Sequence, residues 1–231
     1  MHSEQEIQKE FENGIIIIDK PIGPTSFETV DFVRGILHIS KAGHSGTLDP
    51  KVSGVLPIAI GRSTRILELL LAFPKEYVGV MRLHSDISLE KIEKKIKENF
   101  SGKILQTPPR KSAVKRQERQ REIYTFELLE KEGLDVLFSV KCEAGTYVRK
   151  LVHDLGLALD VGAHMSELRR TSVGNFSEDK CVTLYELSEA YEKAKRGDFS
   201  ALKKILLPTE LAVKHLSKAI LKQDALEKVK H

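Results

Sequence analysis

The sequence predicts an α+β fold: a mixed, mostly antiparallel sheet with flanking helices. Three observations carry this. Isoleucine-dense or alternating segments bounded by Gly and Pro read as strands. Thr25 and Thr183, each followed three residues later by Glu, read as helix starts. Strands and helices follow one another irregularly, with strands in hairpins, rather than in strict alternation. There is no internal repeat and no low-complexity linker.

Gly14 to Asp19 is a buried strand, broken by Pro21, Gly23 and Pro24. Thr25 and Glu28 form a capping box, so a helix runs to about His38, burying Phe27, Val30, Val33 and Leu37 or close neighbours. Lys41 to Pro50 is a loop rich in Gly, Ser and Thr. Val55 to Ile60 returns as a strand, and Thr64 to Leu71 is a short helix. Tyr77 to Leu83 alternates apolar and polar residues, as a half-buried strand does. Ser88 to Phe100 is an amphipathic helix, with Ile92, Ile96 and Phe100 at helical spacing. Ile123–Leu129 and Asp135–Cys142 form a hairpin that turns at Glu132–Gly133. Tyr147 to Leu159 is a helix, and Ser166 to Phe176 is strand or extended loop. Thr183 caps another helix through Glu186, and Phe199 to Leu206 is a last short helix before Pro208.

With 231 residues, 41% hydrophobic and 30% charged, the chain has an ordinary globular balance. Its longest aliphatic run, Ile15 to Ile18, is too short to span a bilayer, and Met1 to Phe11 lacks the basic start and apolar stretch of a leader. The expectation is a cytoplasmic protein, or a nuclear, nucleolar one if eukaryotic, without membrane contact. Cys142 and Cys181 have neither metal spacing nor a disulfide framework, so no metal site is expected. Net charge is +4 with a pI of about 8.9. The basic residues cluster. Arg110, Lys111, Lys115, Arg116, Arg119 and Arg121 face one acid, Glu118, and Arg169–Arg170 follow Arg149–Lys150. Such clusters point to an anionic partner such as RNA as readily as to a solvated face.

The unusual feature is His44-Ser-Gly-Thr-Leu-Asp-Pro50. Gly46 permits backbone angles closed to other residues. Pro50 pushes Asp49 into an extended conformation. Together they can hold one carboxylate rigidly at a loop tip, although Asp-Pro is also an ordinary turn pair.

Lys41 to Val55 resembles the catalytic signature of the TruB family of pseudouridine synthases, and most closely its archaeal and eukaryotic dyskerin branch. Asp19-Lys-Pro21, Lys75-Glu-Tyr-Val78 with Arg82-Leu-His84, Glu143 to Arg149, and Gly162 to Thr171 resemble the other family motifs, in family order. Pro108-Pro109 with Ser112 to Arg116 resembles the dyskerin version of the intervening strand.

The resemblance implies a pseudouridine synthase fold and an enzyme that turns uridine in RNA into its C-glycoside isomer, without metal or cofactor. It implies Asp49 as the nucleophile, paired with Arg149. Addition of Asp49 to the sugar and abstraction of a sugar proton to give a glycal both stay open. Tyr77 is implied to lie against the base and move a proton at C5. Leu168 packs under the base, His44 helps extrude the uridine, Lys20 supports the site, and Tyr147 lines it. Lys41, Lys51, Arg62, Lys115, Arg116, Arg169 and Arg170 are expected to track RNA phosphates.

The expected organisation is a tail at residues 1–12, a catalytic domain at 13–207, and the start of an incomplete PUA domain at 208–231, a stretch too short for a core of its own. The dyskerin branch implies a box H/ACA guide RNA and ribonucleoprotein partners: a scaffold protein, a glycine/arginine-rich protein and a kink-turn binder. The chain between Leu83–His84 and the Ser88 helix leaves almost no room for the insertion with which bacterial relatives grip tRNA, which favours the guided reading for tRNA and rRNA targets. The alternatives are a stand-alone tRNA synthase acting on the T-loop uridine and a non-catalytic RNA-binding scaffold of the same fold.

Overall fold

A computed structural model describes residues 12–109 and 115–214. The expected tail, Arg110 and Lys111 of the basic run, and residues 215–231 lie outside them.

The isoleucine run forms β1 (Asn13–Lys20), antiparallel to β3 (Ser53–Gly61) over its whole length. Alternation sends Ile16 and Ile18 to one core and Ile15 and Ile17 to another. Both faces are therefore buried, which is why the run is continuously apolar. Complete burial of each such side chain contributes roughly 1.5–3 kcal/mol. On the first face lie α1 (Ser26–Leu37), α5 (Leu184–Lys195) and α6 (Ser200–Ile205). On the second lie Leu70 of α2 (Leu67–Leu71), Phe73 and Ala212.

Thr25 and Thr183 both form complete capping boxes. One expected core residue does not hold: Phe27 is 70% exposed. Ser26 and Thr29 turn inward instead, because Ser26 bonds the loop that carries Asp49.

Five further strands are β4 (Lys75–Leu83), β5 (Gly102–Gln106), β6 (Arg119–Glu132), β7 (Asp135–Cys142) and β8 (Ala163–Val173). The sheet runs β1-β3-β8-β4-β7-β6-β5, with β2 (Ala42–His44) added to β3 and β9 (Phe176–Ser177) to β8. Every strand pair is antiparallel except β3–β8. β4 lies between β8 and β7. A third core forms where α3 (Leu89–Asn99) and α4 (Val148–Ala158) pack on β4, β6 and β7.

The hairpin turns one residue later than expected. Glu132 pairs with Asp135, leaving Gly133 (φ 56°) and Leu134 as the two-residue turn. A glycine in the first central position fits a primed turn, which matches strand twist. β6 starts at Arg119 rather than Ile123, because its extra residues pair with β5, an edge strand the sequence reading did not find. At the other end, Leu207 bridges Ile15 and Ala212 is fully buried, so the expected boundary at 207 falls within packed structure.

Candidate active site

Asp49 stands at the tip of the loop between β2 and β3. Its neighbours are fastened to the start of α1. Leu48 N donates to Ser26 Oγ at 2.8 Å, and Ser26 Oγ donates to Leu48 O at 3.2 Å. Gly23 N donates to Pro50 O at 2.8 Å, and Val52 N donates to Asp49 O at 2.9 Å. Gly46 takes φ 99°, as its place in the loop requires. The backbone is thus fixed on both sides, while the Asp49 side chain stays half exposed.

Arg149 lies in the first turn of α4. That helix start is held by the buried side chain of Gln106, whose Oε1 accepts from Tyr147 N at 3.0 Å and whose Nε2 donates to Tyr147 O at 3.3 Å. From there Arg149 Nη2 reaches Asp49 Oδ2 at 3.1 Å. The sequence reading missed Gln106. Its place two residues after Ile104 on a short edge strand was the available signal.

Three cations are buried around this loop: Lys20 is 0%, Arg170 1% and Lys75 5% exposed. Main-chain carbonyls hold each of them. Lys20 Nζ donates to Pro21 O (2.8 Å) and Val52 O (2.9 Å), and Lys75 Nζ to Leu71 O (2.6 Å) and Phe73 O (2.7 Å). Arg170 Nε donates to Val55 O (2.8 Å) and Nη2 to Gly46 O (3.1 Å). Burial, reinforced by Arg170, pushes the Lys75 ammonium down to about 8 and lowers Lys20 as well, against the pull of Asp49. Strand alternation counted back from Tyr77 places Lys75 on the inward face, a signal the sequence reading did not use.

Tyr77 pairs with Arg170 across β4 and β8, just past a register shift that leaves Thr171 unopposed. Such a bulge re-aims a side chain. Tyr77 and Arg170, directly opposite one another, are neighbours on one face of the sheet. Burial raises the phenol above its ordinary 10, and Arg170 opposes that shift. Leu168, on the same face of β8, pairs with Gly79. A Cβ there would come within 2.9 Å of Leu168 Cδ1, so only glycine leaves this leucine its place. His44 meets the exposed ring of Phe27 edge-on, at 5.0 Å between centroids. Its Nδ1 is buried without a hydrogen-bond partner, and burial, then Arg170, lowers its pKa.

The structure brings Asp49, Arg149, Lys20, Tyr77, Leu168, His44 and Tyr147 around one loop. It corrects two of the expected phosphate contacts. Arg170 is buried and its guanidinium faces inward, because alternation along β8 and the close β3–β8 contact turn it toward Gly46 and Val55. Arg169 is engaged by Asp19 through two bonds (2.9 and 3.0 Å) and by Glu178. Lys41, Lys51, Arg62, Lys115 and Arg116 are exposed. Among the described residues no group of three or more His, Cys, Asp or Glu converges on a metal position, and no helix is long and apolar enough to cross a membrane. The chemistry this arrangement offers is a rigid carboxylate, paired with a guanidinium, beside a partly buried phenol in a positive field.

A family profile described as TruB family pseudouridylate synthase (N terminal domain) matches residues 34–148, and one described as tRNA pseudouridylate synthase B C-terminal domain matches 149–214. A probable tRNA pseudouridine synthase B of Methanothermobacter thermautotrophicus is 50% identical over 230 residues, covering 99% of this chain and 71% of that protein. The chain belongs to the TruB family of pseudouridine synthases. This synthase, an RNA uridine isomerase by family, is also 49% identical to a probable tRNA pseudouridine synthase B of Methanopyrus kandleri, over 99% of this chain and 68% of that one. In structure it matches a chain of a crystal structure of a Cbf5–Nop10–Gar1 complex, with a TM-score of 0.91 and 51% identity over 97% of this chain and 69% of that one. It also matches a chain of an H/ACA ribonucleoprotein bound to a substrate RNA containing 2′-deoxyuridine, with a TM-score of 0.87 and 47% identity over 97% of this chain and 68% of that one. The TruB-type reading of the motifs and the mixed, mostly antiparallel fold are both borne out.

Proposed function

We propose that this TruB-family synthase isomerises uridine in RNA with Asp49 as nucleophile, guided by an H/ACA RNA within a ribonucleoprotein. The observation that carries the site is the meeting of Asp49 and Arg149 at 3.1 Å beside Tyr77. A guanidinium fixes the direction of a carboxylate, and a carboxylate is a competent nucleophile once the target is out of the base stack. In this reading the Asp49 carboxylate displaces the base from C1′, the freed base turns, and C5 bonds to C1′ as the Asp49–C1′ bond breaks. The C5 proton then passes to water through the Tyr77 hydroxyl, which gives up its own proton as it accepts that one, and N1 takes a proton from water. Leu168 supports the ring, Tyr147 lines the pocket, His44 helps extrude the uridine, and Lys20 holds the loop by Val52 O. Lys41, Lys51, Arg62, Lys115 and Arg116 meet phosphates.

The guided mode is supported by the likeness to Cbf5 in complexes with Nop10 and Gar1. Proteins of that kind would be partners here, together with a guide RNA, in the cytoplasm. Residues 13–207 would be the catalytic part, with Leu207 and Ala212 packed against its first strand. A second reading, unguided action on tRNA, is favoured by the curated relatives named as probable tRNA pseudouridine synthase B.

The test is tritium release from RNA labelled at uridine C5, since that hydrogen must leave when C5 becomes the glycosidic carbon. Release from a tRNA transcript by the protein alone supports the unguided mode. Release only with guide RNA and partner proteins supports the guided one. Asp49→Asn should abolish either while RNA affinity stays nearly unchanged, and undiminished release by that variant would overturn the nucleophile.

A further inference from the structure

Arg170 is the residue whose sequence-based role the structure removes, and its surroundings give it another. Two backbone carbonyls from different elements hold it, and a third element stands beside it. Val55 O on β3 accepts from Nε at 2.8 Å, Gly46 O in the Asp49 loop accepts from Nη2 at 3.1 Å, and Tyr77 on β4 is its cross-strand neighbour. A Cβ at Gly46 would lie 3.6 Å from Arg170 Nη1 and 3.7 Å from Lys75 Cε, so the loop rests on both cations. The convergence depends on the parallel contact of β3 with β8, Ser53↔Arg169 and Gly54↔Arg170. There β3 passes so near β8 that a Cβ on Gly54 would stand 2.1 Å from Arg170 O.

This is a costly place for a charge. Arg170 pushes down the pKa of Lys20, Lys75 and His44 and is itself lowered by burial. Two backbone carbonyls hold it, and the planar fork reaches both in set directions, one on β3 and one in the Asp49 loop.

We propose that Arg170 is a positioning residue of the isomerisation, whose buried guanidinium ties β8, at the point where it pairs with Tyr77, to the backbone of the loop that carries Asp49 and so fixes the spacing of phenol and carboxylate. The proposal rests on the reading of Asp49 and Tyr77 as the reacting groups. Arg170 touches no substrate; it acts through the two that do.

Arg170→Lys is the informative substitution, since it keeps the charge and loses the fork. Single-turnover tritium release with guide RNA and partner proteins should fall about 100-fold, the scale of a misplacement near 1 Å. The dissociation constant for RNA should stay within about twofold, because a buried cation makes no phosphate contact. Parental turnover by a folded Arg170→Lys protein overturns the proposal. So does a loss that lies in RNA affinity with turnover unchanged. Should that variant not fold, the parent protein decides: the Arg170 Nε–H and Nη–H signals in a nitrogen-15 spectrum should be protected from exchange with solvent by Val55 O and Gly46 O, and rapidly exchanging signals overturn the proposal. Asp49→Asn separates the two levels: full activity there defeats the reading of the site, whereas an inactive Asp49→Asn with a fully active Arg170→Lys defeats only the positioning role.

Discussion

Asp49 and Arg149 meet at 3.1 Å with side chains 49% and 60% exposed, so the contact at the centre of the site is a solvated ion pair. An exposed pair contributes about 0–1 kcal/mol to stability. Its value to the protein lies in direction. Arg149→Ala should therefore leave the denaturation midpoint nearly unchanged while lowering single-turnover tritium release by about two orders of magnitude, as loss of orientation does. A large fall in stability would show instead that the pair is structural.

Gly54 offers the opposite case, a residue with no chemistry and a large structural effect. It holds φ 105°, and a Cβ would stand 2.1 Å from Arg170 O, against a backbone that cannot move aside alone. Gly54→Ala should cost roughly 2–4 kcal/mol from strain and overpacking combined. Urea denaturation at an unchanged slope would measure it, and a loss under 1 kcal/mol would mean that β3 and β8 part easily.

What was legible in the sequence followed from local rules. Both capping boxes, the isoleucine strand and the amphipathic α3 are set by residues near one another, and each is found. Asp49 and Arg149 meet because the loop and the start of α4 hold them in place. What was not legible depended on partners distant in sequence. β5 is a strand only because β6 extends to pair with it. Phe27 occupies an inward position of α1 by periodicity, yet Ser26 takes the inward side because its hydroxyl serves Leu48. Arg169 and Arg170 read alike as a basic pair, but as consecutive residues of β8 they point to opposite faces, one to Asp19 and the other into the interior.

His44 makes stability depend on acid. Burial, with Arg170 adding to it, holds its pKa below the ordinary 6.5 in the folded protein. Between that lowered value and 6.5 the unfolded chain binds more protons than the folded one, so stability falls as pH drops below 6.5. His44→Gln should flatten this part of the stability profile relative to the parent. An unchanged slope would show that the folded imidazole takes up its proton freely.

Lys75 acts in the same sense at the alkaline end. Its ammonium titrates near 8 when folded and near 10.5 when unfolded, so the unfolded state holds the extra proton between those values and this group's contribution to stability rises across that window. The neutral amine still has two hydrogens for Leu71 O and Phe73 O, so the contact survives deprotonation. Between pH 8 and about 10 the parent should gain stability relative to Lys75→Met. A constant difference would place the folded ammonium at its ordinary value.

RNA binding should separate exposed cations from buried ones. Lys41, Lys51 and Arg62 are open to solvent, and Lys51 directly follows the Asp49–Pro50 tip. Each phosphate contact removed reduces the slope of log affinity against log salt by about 1. Lys51→Ala and Lys41→Ala should each weaken binding across unrelated sequences and flatten that slope. Arg170→Lys should leave it alone, because a guanidinium spent on Val55 O and Gly46 O releases no counterion from RNA. A titration series in potassium chloride decides the point. A flattened slope for Arg170→Lys would return that residue to the phosphate-binding surface, and an unaltered slope for Lys51→Ala would move the RNA path away from the tip of the loop.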